Sequence, residues 1–194
     1  DGSRMSYSEA PFEGRLSGLS RQMLLASRTT ALLKRLVSDD AAVWEVAFSL
    51  SNAIVSTAGN LFFGPLTEMS AADFNIGLQD KLLGQVRLAL VGQHYLNDGG
   101  SITLTTGIVG QEPIAQGANA TAVNSAVEGF VRAAACELPR GIRINAVSPT
   151  VLTESMGAYG PFFPGFEPVP AARAALAYRR SIEGVQSGRV YRVG

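Results

Sequence analysis

The sequence predicts an α/β fold: a Rossmann-like, doubly wound parallel sheet. Two observations carry this expectation. Short β-branched runs alternate with longer segments of helical period, the order that gives a parallel sheet covered on both faces. The length, 194 residues, suits one domain that buries about 70% of its unfolded surface. No internal repeat or low-complexity segment interrupts the alternation.

The elements follow in order. Asn52–Ser56 (NAIVS) reads as a strand ending in the turn-like Thr57-Ala58-Gly59-Asn60. Ser70-Ala71-Ala72-Asp73 is a capping-box start with Asp in place of Glu. It opens a helix of about six turns with Phe74, Leu78, Leu82, Val86 and Leu90 on one face. Asn97-Asp98-Gly99-Gly100 breaks the pattern, and Ser101–Thr105 (SITLT) reads as a buried strand. Thr121–Leu138 is helical, with Val123, Val127, Phe130, Ala134 and Leu138 in register and an Ala-rich flank suited to close helix contact. Pro139-Arg140-Gly141 ends it. Ile142–Val147 is a strand, Gly157–Pro170 a mobile loop rich in Gly, Pro and Phe, Ala171–Glu183 a helix and Arg189–Val193 a last strand. Residues 1–50 show no clear first strand. Met23–Val37 fits one helix, or a strand followed by a helix. The sheet is therefore either complete with a divergent start or incomplete at its N-terminal end.

Composition narrows the function. Hydrophobic residues make up 46% and charged residues 16%, with net charge zero. No basic stripe is present, which argues against nucleic-acid binding. No apolar run approaches the roughly 20 residues of a membrane span. The start at Asp1 suggests either an added leader before Met5 or a missing true start. With no basic-then-apolar signal pattern, the expected location is cytoplasmic. Cys136 is the only cysteine and His94 the only histidine. A disulfide framework, a thiolate metal cluster and a histidine metal cluster are thus excluded. Cys136, near Ala133–Ala135 and Leu138, reads as a small buried hydrophobe. His94 reads as a partly exposed residue near a helix C-terminus.

From Ser51 onward the motifs form an ordered set. They are Ser56-Thr57-Ala58-Gly59, Gly100-Ser101-Ile102, Arg143-Ile144-Asn145-Ala146-Val147-Ser148-Pro149 and Ser187-Gly188-Arg189-Val190-Tyr191. In order and spacing the set resembles the short-chain dehydrogenase/reductase family, in a short, atypical branch. The resemblance covers nearly three quarters of the chain. It implies a single domain over 1–194, with 1–50 divergent, 51–194 family-like and 150–170 as a substrate lid. It also implies NAD(P)-dependent oxidoreduction of a small carbonyl or alcohol, and homo-oligomers built through helices.

The departures from the family pattern concern proton transfer. The family's relay is a Ser, a Tyr about thirteen residues later and a Lys four after that. The Tyr works at the carbonyl oxygen, while the Lys lowers its pKa and holds the ribose. Aligned through Ser125-Ala126-Val127-Glu128-Gly129, these positions are Gly107, Ala120 and Asn124. Neither lysine, Lys34 or Lys81, has a Tyr four residues before it. A fourth relay position, usually Asn, falls at Lys81. Substitutes to weigh are Thr106, Lys81, Asn124 and Tyr159. Each also has a plain structural reading: Thr106 bonding backbone at a strand end, Lys81 solvated or pairing on its helix, Tyr159 packing a loop. A positioned general acid contributes 10²–10⁴-fold, about 3–5 kcal/mol of barrier. A reductase without one is slow but not necessarily dead, since the hydride chemistry is the cofactor's; the alternative is a non-catalytic dinucleotide-binding or oligomer-partner protein, or a truncated inactive homologue.

Cofactor binding is expected to involve Gly14, Gly18, Arg28, Ala58, Gly59, Thr105, Pro149 and Thr150. A phosphate-binding turn needs glycines that let backbone N–H groups reach the pyrophosphate. Gly14-Arg-Leu-Ser-Gly18-Leu-Ser20 resembles such a turn, with Ser20 in place of the last Gly. Pro11 and Glu13 interrupt the strand that should precede it, and Gly18 lies only 41 residues before Gly59. A competing register makes Met23–Ala26 the second strand and places Arg28 where an Arg favours NADP over NAD. The two registers exclude each other, and neither need hold. Thr150 replaces a family Gly after Pro149 and keeps an N–H to offer. Phe162, Phe163 and Phe166 line an apolar pocket or anchor the loop.

Overall fold

The computed structural model describes residues 51–57 and 59–194. Gly14, Gly18, Arg28, Lys34 and Ala58 lie outside them. Four parallel strands form one sheet in sequence order: β1 (Ser51–Val55), β2 (Leu96–Thr105), β3 (Arg143–Pro149) and β4 (Val190–Val193). Between β1 and β2 the chain is helical over 71–92, as α1 (Ala71–Gly77), a π-helical turn (Leu78–Leu83) and α2 (Gly84–Gly92). Helix α3 (Ala118–Ala134) links β2 to β3. The short α4 (Met156–Tyr159) and α5 (Ala171–Glu183) link β3 to β4.

Side-chain alternation along the strands sorts two faces. Ile54, Ile102, Leu104, Ile144 and Ala146 pack with Ala89, Val127 and Val131 of α2 and α3. The opposite face meets α5, and there the strands are polar. Thr103 Oγ1 bonds Ser181 Oγ at 2.7 Å and Thr105 Oγ1 bonds Tyr178 OH at 2.7 Å. Asn145 Nδ2 donates to Ser181 Oγ (3.2 Å) and Gln186 O (2.9 Å), while its Oδ1 accepts from Arg189 N (3.0 Å). Asn145 thereby shapes the turn that delivers the chain into β4.

The capping box at Ser70 and Asp73 is formed, and Ala171–Glu183 is helical over the expected span. Several expectations need correction. The helix of residues 71–92 does not face inward through Phe74, Leu78, Leu82, Val86 and Leu90; these flank it, and Leu90 is half exposed. Its innermost line is Gly77, Lys81, Gln85, Ala89 and Gly92. Small residues there let the helix backbone approach, so the apolar stripe is displaced sideways. Strand β2 starts at Leu96, so Asn97–Gly100 lie inside it, with the irregularity absorbed by a register shift opposite Ser51/Ala53. Cys136 is exposed, not buried. Helix α3 stops at Ala134, which leaves Cys136 off the inward line of Val123, Val127 and Val131. The segment 157–170 is not featureless: it holds α4 and a 3₁₀ turn, and Leu152 bridges Val169. His94 is exposed just beyond α2, as expected.

Asn145→Leu leaves the Gln186 carbonyl and the Arg189 N–H without their partner. It is expected to cost about 3 kcal/mol, read as a lower urea midpoint at unchanged slope.

Candidate functional site

Parallel strands end at one edge of the sheet, and open α/β sheets bind ligands outside those carboxyl ends. At this edge stand Ser56 after β1, Thr105–Gly107 after β2, Pro149 and Thr150 at the end of β3, and Val193–Gly194 of β4. The line Gly77–Lys81–Gln85 runs beside them. Gln85 clasps the end of β2: its Nε2 donates to Thr105 O (2.9 Å) and its Oε1 accepts from Thr105 N (2.8 Å). One turn back, Lys81 lies against Gly59, where a Cβ would fall 2.8 Å from the Lys81 Cα. Gly59 has φ +138°, so both its backbone and its surroundings demand glycine. A further turn back, a Cβ on Gly77 would sit 2.3 Å from Asn119 Oδ1. Asn119 is itself fixed: Oδ1 accepts from Phe62 N (3.0 Å) and Nδ2 donates to Phe74 O (2.7 Å).

The structure brings Gly107, Ala120, Asn124 and Pro149 together. A Cβ on Gly107 would lie 3.8 Å from Asn124 Nδ2 and 3.8 Å from Pro149 O, with nothing closer. Ala120 and Asn124 are one turn apart on α3, and Asn124 Nδ2 donates back to Ala120 O (2.9 Å). Both are buried. Asn124 Oδ1, Ser148 Oγ and Thr150 Oγ1 are buried without a hydrogen-bond partner among the described residues.

The remaining candidates divide. Thr105 is spent inside the chain. Its Oγ1 donates to Ser56 O, so the hydroxyl proton shared with Tyr178 is the tyrosine's. Burial pushes the Tyr178 phenol up to about 12. Thr150 does not keep its N–H, which donates to Val193 O (2.8 Å) because strand pairing runs on past Pro149. Thr106 N donates to Val147 O (2.9 Å), as expected of a strand end, while its hydroxyl turns to the buried carboxylate of Glu128 (3.3 Å). Gln111 Nε2 also donates to Glu128, and Arg132 stands 4.0 Å away. Tyr159 packs on Phe63, centroids 5.9 Å apart; Phe162 also meets Phe63 (5.1 Å), and Phe163 meets Phe166 (5.4 Å). Gln85, Glu128 and Tyr178 were not foreseen as parts of this edge. The signal for Gln85 was its spacing of four from Lys81, away from the apolar stripe.

Lys81 departs most from expectation. It is neither solvated nor paired on its helix, being only 9% exposed. It has no hydrogen bond or ion pair among the described residues. Its sequence neighbour Asp80 accepts from Asn60 N (3.1 Å) and Asn60 Nδ2 instead. Burial lowers the Lys81 ammonium to about 8. No group of three or more metal-ligating side chains occurs among the described residues.

The Lys81 shift sets a pH dependence. Unfolded, the amine titrates near 10.5; folded, near 8. Between these values the unfolded chain holds the extra proton, so stability rises with pH from about 8. Above about 10 the raised Tyr178 phenol opposes it, because the unfolded chain then releases a proton that the folded chain keeps. Between pH 7.5 and 10 the gain is about 2–3 kcal/mol. Lys81→Met should flatten that rise in denaturant titrations.

A family model described as enoyl-(acyl carrier protein) reductase matches residues 28–189. The crystal structure of the protein lin1944 from Listeria innocua is 46% identical, with TM-score 0.73, covering 77% of this chain and 78% of that one. A small-chain dehydrogenase solved in complex with NADPH is 25% identical, with TM-score 0.67, covering 87% of this chain and 92% of that one. A short-chain dehydrogenase from Burkholderia cenocepacia, solved with NADP, shares the fold at 21% identity and TM-score 0.69, covering 85% of this chain and 69% of that one. No curated protein matches. The parallel sheet, the ordered motifs and the match across 28–189 place the chain in the short-chain dehydrogenase/reductase family.

Proposed function

We propose that this chain is an NAD(P)-dependent oxidoreductase of short-chain dehydrogenase/reductase type with weak, atypical catalysis, acting on a small carbonyl compound or alcohol. The observation that carries the reading is the junction of Gly107, Asn124 and Pro149 O at the sheet's carboxyl edge, with no tyrosine or lysine on α3. The fit of a nicotinamide dinucleotide is supported by the unpartnered Asn124 Oδ1 and Thr150 Oγ1. In this reading Gly59, Pro149 and Thr150 border the nicotinamide half. Gly14 and Gly18, or Arg28, serve the phosphates, and Arg28 would select NADP. The bound dinucleotide supplies a hydride. The chain orients it, and Thr106, Lys81 or Asn124 stands in at the proton, which keeps turnover slow. Residues 150–170 form the lid, with the Phe63, Tyr159 and Phe162 rings giving it an apolar wall.

The protein is proposed to work in the cytoplasm as a homodimer. No helix among the described residues is long and apolar enough to cross a membrane. The exposed Ile76, Leu90 and Val91 leave an apolar flank on the helix of residues 71–92.

A second reading is a non-catalytic dinucleotide-binding or oligomer-partner protein, or a truncated inactive homologue. It is favoured by Asn124, whose amide is turned back onto its own helix.

NADPH should bind at sub-millimolar concentration with enhanced fluorescence, more tightly than NADH. Carbonyl reduction should be slow but measurable. Gly107→Ser fits the available space and should raise kcat about tenfold, the worth of one transition-state hydrogen bond of ~1.4 kcal/mol. NADPH binding with no turnover in either protein supports the second reading; no binding sinks the oxidoreductase.

A further inference from the structure

Lys81 is taken out of water on the one helix face that touches the whole crevice. Residues 77, 81 and 85 follow each other at about one turn, roughly 6 Å along the axis. Gly77 meets Asn119, the neighbour of Ala120, and Gln85 holds Thr105 two residues before Gly107. Lys81 stands between them with its stem against Gly59, four residues beyond the end of β1. The helix is wound as a π turn over Leu78–Leu83, a deviation often found at functional sites. The two carboxylates near this face are spent elsewhere: Asp80 on Asn60, and Glu128 on Thr106 and Gln111. The residue is nine-tenths buried, and no polar group among the described residues meets its ammonium.

We infer that Lys81 is a ligand-binding residue whose ammonium meets an anionic or carbonyl oxygen of the molecule held in this crevice. The placement supplies from the π turn Leu78–Leu83 a cation that α3 does not carry at Asn124. The inference rests on reading the crevice as a ligand site; it does not require hydride transfer. The oxygen belongs either to the dinucleotide or to a small oxo-acid beside it.

Only two lysines occur, Lys34 and Lys81. Protein grown with ¹³Cε-lysine therefore gives two side-chain signals, assigned with Lys81→Arg and Lys34→Arg. NADPH and acetoacetate are titrated separately, with NADPH binding also followed by its own fluorescence. The Lys81 signal should move saturably with one of them while Lys34 stays. In Lys81→Met the dissociation constant of that ligand should rise at least tenfold, Lys81→Arg should recover part of it, and the melting temperature should hold or rise. A shift with NADPH assigns the oxygen to the dinucleotide; a shift with acetoacetate alone assigns it to the oxo-acid. Fluorescent NADPH binding without any Lys81 shift overturns the inference and leaves the proposed function standing. An acetoacetate shift without NADPH binding does the reverse. If neither ligand binds, both fall. A Lys81→Met protein that melts several degrees lower, with binding unchanged, assigns Lys81 a structural role and overturns the inference.

Discussion

The side-chain amide of Gln85 bonds both backbone groups of Thr105, at 2.8 and 2.9 Å, and the crevice is built from that clasp. Strand β2 is central, paired with β1 and β3, yet its last residue, still in register with Val147 of β3, has run past the end of β1 and needs partners on that side. An amide carries one acceptor and a donor on the same carbon, so a single Gln replaces a strand edge. With Gln85 fixed on Thr105, the helix cannot slide. Lys81 is then held at Gly59 and Gly77 at Asn119, and the turn into Gly107 leaves β2 at a set angle. Gly59 and Gly77 are the counterpart of the clasp: without Cβ atoms, they allow the helix to come close enough for it to form.

The two faces of the sheet are stabilised by different physics. Towards α2 and α3 the contacts are aliphatic, and burial of Ile102, Leu104, Ile144 and Ala146 supplies the usual apolar gain. Towards α5 the buried Thr103 and Asn145 and the half-buried Thr105 each hold a directional partner. Such pairs add little net energy but penalise mispairing, because every displaced hydroxyl or amide would be left dry. The polar face therefore fixes the register of α5 over the sheet, and with it the length of the turn into β4.

Much of the fold was legible because strand and helix periods are local properties. SITLT alternates apolar and hydroxylated positions, and Ala171–Glu183 sits between Pro170 and Gly184, so both elements stand where the pattern put them. The inward face of the helix of residues 71–92 was not legible. Apolar periodicity points to Leu82 and Val86, but the inner line is set by where small residues permit approach, and that depends on Gly59 and Asn119, distant in sequence. Cys136 misled for a similar reason: its neighbours are small and apolar, but the helix ends before it. At the site, the expectation for positions 107, 120 and 124 could be drawn from strand and helix register. The fate of their hydrogen-bonding groups could not, because the Thr150 N–H is claimed by Val193 and the Thr106 hydroxyl by Glu128, both through tertiary contacts.

Asn124 carries its own hydrogen-bonding logic on α3. A lysine there would extend past the helix, whereas an asparagine is short enough to bond the carbonyl one turn back, as Asn124 does with Ala120. Half of its amide is thereby satisfied and the other half, Oδ1, is left buried and unpaired. Asn124 thus leaves an unmet acceptor on α3. Lys81 brings a donor-only group from the opposite helix, with no acceptor among the described residues. The two unmet needs, an acceptor at Asn124 and a cation at Lys81, are complementary in kind yet sit on different helices. A ligand carrying both a donor and an oxygen, as a ribose or a hydroxy compound does, would answer both together. A molecule bound at this edge as proposed would have to satisfy that pair.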